Sequence, residues 1–118
     1  MDILRSLRFL EVTAMRTYLD TSGMDDLCAA LLSLETKEEA ARFLRDLCTL
    51  QELKAISQRY QVAKLLHSEC RYAEIVEKTG ASTATISRVN RSLGMDGAGG
   101  YDIVFSRMED TATEQNNG

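Results

Sequence analysis

The chain has 118 residues, a formal net charge of −4, 44% hydrophobic residues and three cysteines. That length serves one hydrophobic core rather than two, and the apolar fraction excludes global disorder. No apolar run approaches the roughly 18 residues of a membrane span, and Arg5, Arg8 and Glu11 interrupt the N-terminal stretch where a secretory signal needs an unbroken apolar region, so a cytoplasmic protein without a membrane partner is expected.

The chain contains no proline, and its apolar residues recur at spacings of three and four rather than alternating, which predicts an all-α fold. Residues 4–19 read as a weakly amphipathic helix with Leu7, Leu10 and Ala14 on one side, closed by Thr21, Ser22 and Gly23. It belongs to an N-terminal extension over 1–23, within or just after which Met15 and Met24 offer alternative translation starts. A second helix is predicted over about 25–34, with Leu27, Leu31 and Leu34 on one face.

"TKEE" at 36–39 is a capping box and opens a third helix. There Ala40, Phe43, Leu44 and Leu47 fall at i, i+3, i+4 and i+7, the pattern of one buried stripe. "TLQE" at 49–52 repeats the box and starts the longest helix, running to about Ser68 with Leu53, Ile56, Tyr60, Ala63 and Leu66 inward. Two short helices follow, 72–79 and 83–93, separated by Gly80, Ala81 and Ser82. Gly80 supplies a left-handed backbone cheaply and Ser82 is a good N-cap. After Gly94, "MDGAGG" breaks the pattern; a short helix over 101–109 and a disordered acidic tail, "EDTATEQNNG", complete a C-terminal segment over 96–118.

Little in the chain points to catalysis. Cys28, Cys48 and Cys70 lack metal-site spacing and read as free thiols, and His67 is the only histidine. With no paired carboxylates in register and no glycine-rich phosphate loop, neither an enzyme nor a metal protein is expected.

Charge is instead distributed unevenly. Residues 51–93 carry seven basic and four acidic side chains, whereas 94–118 carry one and five, and no acid occurs between Thr79 and Met95. The stretch "YAEIVEKTGASTATISRVNRSL" fits a helix-turn-helix over 72–93. Ile75 and Val76 on its first helix, and Ile86, Val89 and Leu93 on its second, are spaced to pack inward. That leaves Ala84, Ser87, Arg88 and Arg91 outward, flanked by Ser82, Thr83 and Thr85. Small residues permit close approach to a major groove, hydroxyls take either hydrogen-bond role, and arginine binds guanine bidentately or pairs with phosphate. Arg71 and Lys78 flank the unit as candidate phosphate contacts. These residues predict a transcriptional regulator that binds double-stranded DNA.

Taken with "LLSLETKEEAARFLRDLCTLQEL" and "SQRYQVAKLL", the run "TGASTATISRVNRSL" resembles the Trp repressor family, and within it the Trp repressor-related YerC/YecD branch, over residues 24–95. The resemblance implies an intertwined all-helical homodimer, a repressor whose two recognition helices enter successive major grooves of a palindromic operator. It also places Thr49, Arg59, Arg88 and Ser92 at positions that hold L-tryptophan in the family's prototype. Val89 departs from that pattern, standing where the prototype has glycine, and a β-branched side chain there argues against a tryptophan corepressor. The alternative is a helical interaction module that docks another transcription component. An acid-free face without aromatic anchors speaks against it.

Overall fold

The computed structural model describes residues 23–116, with side chains to residue 113. The expected helix over 4–19 and nearly all of the 1–23 extension lie outside the described residues. Those described form helices α1 (Met24–Leu32), α2 (Lys37–Leu47), α3 (Leu50–His67), α4 (Tyr72–Thr79), α5 (Thr83–Leu93) and α6 (Gly100–Asn116), and no strand occurs among them. The chain divides into two compact units, up to Leu47 and from Cys48 onward.

In the first unit, Gly23 caps α1 with a left-handed backbone (φ 80°), and Asp25 and Asp26 occupy the first turn, where the helix dipole favours acids. The Thr36 hydroxyl accepts from the Glu39 amide at 3.1 Å, but the Glu39 carboxylate accepts from the Glu35 amide at 2.9 Å rather than from Thr36 itself. The box therefore closes one residue earlier than its sequence pattern implies. Neither α1 nor α2 contains a buried residue. The stripe expected to be buried on α2 is only half-covered at Ala40, Phe43 and Leu44, and Leu47 is exposed. Leu32 of α1 is 87% exposed. The periodicity is amphipathic as read, but among the described residues this stripe is left partly uncovered.

The second unit is built on α3. Thr49 and Glu52 complete its capping box in both directions, at 3.1 and 2.9 Å. Donation from the Thr49 backbone amide, then from its side chain, holds the Glu52 carboxyl below its ordinary range. The helix ends in a Schellman arrangement, with Cys70 N–H donating to Leu65 and Glu69 N–H to Leu66, both at 3.0 Å, and Glu69 takes φ 62° to turn the chain into α4. Along its length α3 packs against α4 and α5, which also pack on each other.

The core holds Val62, Ala63, Ile75, Ala81, Ile86, Val89 and Phe105. This corrects the sequence-based wheel in two places. Val62, expected to lie off the inward face, is fully buried while Ile56 is 44% exposed; Val76, paired with Ile75 in the sequence reading, is 37% exposed. The reason is that α3 is covered on more than one side, by α4 and α5 and by the aromatic side chains of α6, so its buried face is wider and rotated from a single stripe.

Phe105 anchors α6. Its ring lies 6.0 Å from that of Tyr60, 4.6 Å from the His67 imidazole and 5.8 Å from the Tyr101 ring, and His67 Nε2 lies 2.8 Å from Glu109 Oε1. From this anchor the helix continues to Asn116, so the tail expected to be disordered is helical over most of its length. Once a helix is nucleated, each added residue costs little. The two threonines that look unfavourable in composition donate to their own helix, Thr111 to the Arg107 carbonyl and Thr113 to the Glu109 carbonyl.

Candidate nucleic-acid interface

The two short helices expected over 72–79 and 83–93 are present as α4 and α5, joined by a turn at Gly80, Ala81 and Ser82. Gly80 adopts φ 70° and its N–H donates to the Val76 carbonyl at 2.8 Å, closing α4. Around it runs a small network that sequence reasoning missed. The Thr79 hydroxyl donates to the Ile75 carbonyl at 2.6 Å and accepts from the Ala81 amide at 3.1 Å, while Gln58 Nε2 of α3 donates to the Thr79 carbonyl at 3.1 Å. Ala81 is buried, and a larger side chain there would push the turn off α3. Gln58 and Thr79 are 21 residues apart, so no local pattern joins them.

The α5 helix starts on Ser82, whose hydroxyl accepts from the Thr85 amide at 3.1 Å and donates to the Thr85 hydroxyl at 3.1 Å. Ile86 and Val89, at 0% and 2% exposure, seat it in the core, and Leu93 packs at the margin. Their burial fixes the rotation of the helix. Thr83, Ala84, Ser87, Arg88 and Arg91 are thereby exposed, Thr85 is half-buried, and Ser82 is exposed at the N-terminal end. Arg71, the N-cap residue of α4, and Lys78, in its last turn, are also exposed. Among the described residues neither Arg88 nor Arg91 has an ion-pair partner. The face is thus small, hydroxylated and cationic, on a helix roughly 16 Å long at 1.5 Å per residue, which fits a major groove about 12 Å wide.

The sequence model of the Trp repressor protein family matches residues 22–109, which takes in the turn network, α5 and its seat on α3. The chain belongs to the Trp repressor family. That places it among DNA-binding transcription regulators rather than enzymes. Its relatives in the family include the uncharacterised protein YerC of Bacillus subtilis (strain 168), 44% identical over 91 residues that make up 77% of this chain and 86% of that one. They also include a Trp operon repressor homolog of Chlamydia trachomatis serovar D, 38% identical over 73 residues, 57% of this chain and 78% of the homolog. A solved TrpR-like protein from Eubacterium eligens superposes with a TM-score of 0.73 at 50% identity, covering 79% of this chain and 95% of its own.

The Trp repressor family resemblance also singled out Thr49, Arg59, Arg88 and Ser92. Two of their side chains are engaged locally: the Thr49 hydroxyl in the α3 capping box, and the Ser92 hydroxyl as donor to the Arg88 carbonyl at 3.3 Å. Arg59 is half-buried and Arg88 exposed. A cavity of about 540 Å³ lies nearby, between Tyr60 of α3, the end of α5, the turn at 96–98 and Tyr101 and Val104 of α6; it takes in Ser92 but not Thr49, Arg59 or Arg88. That turn is tight, since a Cβ on Gly97 would lie 1.8 Å from the Ser92 carbonyl oxygen. No helix among the described residues is long and apolar enough to cross a membrane, and no group of three potential metal ligands occurs among them.

Proposed function

We propose that the protein is a cytoplasmic homodimeric repressor that reads a palindromic operator through α5, without a small-molecule corepressor. The observation that carries this reading is the acid-free α5 face, held at a fixed rotation by the complete burial of Ile86 and Val89. Thr83, Ala84, Ser87, Arg88 and Arg91 then read base edges and adjoining phosphates, with Ser82 and Thr85 shaping the N-terminal end, and Arg71 and Lys78 contact phosphates that set register. An interaction module would present aromatic anchors on this face, and it has none.

Support for the dimer comes from the first unit, whose amphipathic helices bury nothing completely and leave Leu31, Leu32 and Leu47 in solvent. Exposed apolar surface of this kind is covered by a second copy in an obligate dimer. Repression is then steric. An operator-bound dimer occupies the promoter, with affinity drawn largely from phosphates and therefore steeply salt-dependent.

Selection of bound sequences from random duplex DNA tests the reading directly. A two-fold symmetric site with half-sites about one helical turn apart is expected; recovery of no enriched sequence would sink it.

The corepressor question turns on Val89. Its side chain is 2% exposed, within the core cluster that also holds Val62, Ala63 and Ile86, where a glycine would leave space. Calorimetric titration with L-tryptophan is expected to give no saturable heat. Binding tighter than about 100 μM, or ~5.5 kcal/mol, would show that Val89 does not close the site.

A further inference from the structure

Beside the turn that leads into α5 lies a cleft of about 400 Å³, lined by Lys54, Ser57, Gln58, Gln61 and Leu65 of α3 and by Lys78 and Thr79 of α4. No acidic side chain lines it. Neither lysine has an ion-pair partner among the described residues, and Glu74, one turn before Lys78 on α4, pairs with neither. Lys54, Ser57, Gln61 and Lys78 are exposed, while Gln58 is tied to the Thr79 carbonyl at 3.1 Å. That hydrogen bond fixes the register of the cleft: Lys54 stands one turn, about 6 Å, along α3 from the point where α3 holds the turn. The Gln58 bond thus ties together the two helices that carry these cations, beside the turn that leads into α5.

We infer that this cleft receives a backbone phosphate of the bound duplex, with Lys54 as a DNA contact contributed by the scaffold helix α3. The inference rests on the DNA-binding reading of α5 and extends it. If the N-terminal end of α5 enters a major groove, the strands bordering that groove pass beside it, and duplex DNA presents one charge per about 1.7 Å of axis. Lysine ammoniums suit such a contact as point charges, and Ser57 and Gln61 add neutral donors within the same cleft. Thr49 to Glu52 start the helix, the Gln58 bond clamps it to the turn, and Lys54 between them is carried on a rigid element. A contact made this way positions the dimer without reading sequence.

The test is the salt dependence of binding by Lys54→Gln to a fluorescein-labelled duplex recovered from the random selection, followed by anisotropy. Removing one lysine–phosphate pair flattens the slope of log K against log salt by about 0.9, so one lysine from each protomer flattens it by about 2. Base preference is expected to stay the same, since phosphates carry no sequence information directly. Lys64→Gln, an exposed lysine of the same helix outside the cleft, is expected to leave the slope unchanged. A Lys54→Gln slope equal to that of the unaltered protein, or an equal flattening by Lys64→Gln, overturns the inference while leaving the DNA-binding reading intact. Failure of the unaltered protein to bind any duplex overturns both.

Discussion

Replacing Arg88 and Arg91 together by alanine is expected to weaken binding to the selected operator by about a thousandfold, leaving only salt-sensitive, sequence-independent affinity. The two residues are three apart on α5, hence neighbours on its exposed face, and neither is held by an ion pair among the described residues. A good bidentate arginine contact is worth about 1–3 kcal/mol of discrimination, and a dimer makes each contact twice. The sum is bounded by the gap between specific and non-specific binding, roughly 10³–10⁷. Titration of labelled operator and of a scrambled duplex separates the two components. Circular dichroism and sedimentation should show the helix content and assembly unchanged, because both side chains are in solvent. Operator affinity unaltered in the double variant would remove α5 from the interface.

The second large effect is on stability. Ile86→Ala is expected to cost about 2–5 kcal/mol, since Ile86 is at 0% exposure where α5 meets α3 and α4, and the helix backbone around it resists collapse into the space left. For a domain of this size that lowers Tm by about eight degrees or more, at about 4–8 °C per kcal/mol. The measurement is thermal or urea unfolding at one fixed protein concentration, because assembly makes Tm concentration-dependent. Val76→Ala on α4 is the matched control. At 37% exposure it should cost under about 1 kcal/mol, although on the sequence Ile75 and Val76 look equally suited to the core. Equal losses at Ile86 and Val76 would mean that the core is not centred on α3, α4 and α5 as described.

How far the candidate interface was legible in the sequence depends on the range of the interaction behind each feature. The boundaries of α4 and α5 are local, set by Gly80 at φ 70° and by the Ser82 cap, and both are readable as residue types at fixed offsets. The outward face of α5 follows from helical periodicity once Ile86 is placed inside, and the exposure of Ala84, Ser87, Arg88 and Arg91 agrees with it. The turn network is a different matter. Gln58 and Thr79 meet across 21 residues, and Ala81 is buried only because α3 passes beneath it. Lys54 joins Lys78 in one cleft for the same reason.

The sequence by itself determined where α3, α4 and α5 begin and end, because caps and glycine turns act within four residues, and it determined which face of α5 is polar. Tertiary structure decided what is buried. Val62 enters the core and Ile56 leaves it because α3 is covered from more than one side, while Val76 is left in solvent beside a fully buried Ile75. It also decided the fate of the C-terminal segment, which composition marks as disordered and which Phe105, docked against Tyr60 and His67, turns into a helix running to Asn116. Propensity and composition sum over neighbours along the chain, whereas burial depends on which distant elements share a surface, and one aromatic side chain with somewhere to dock outweighs a polar tail.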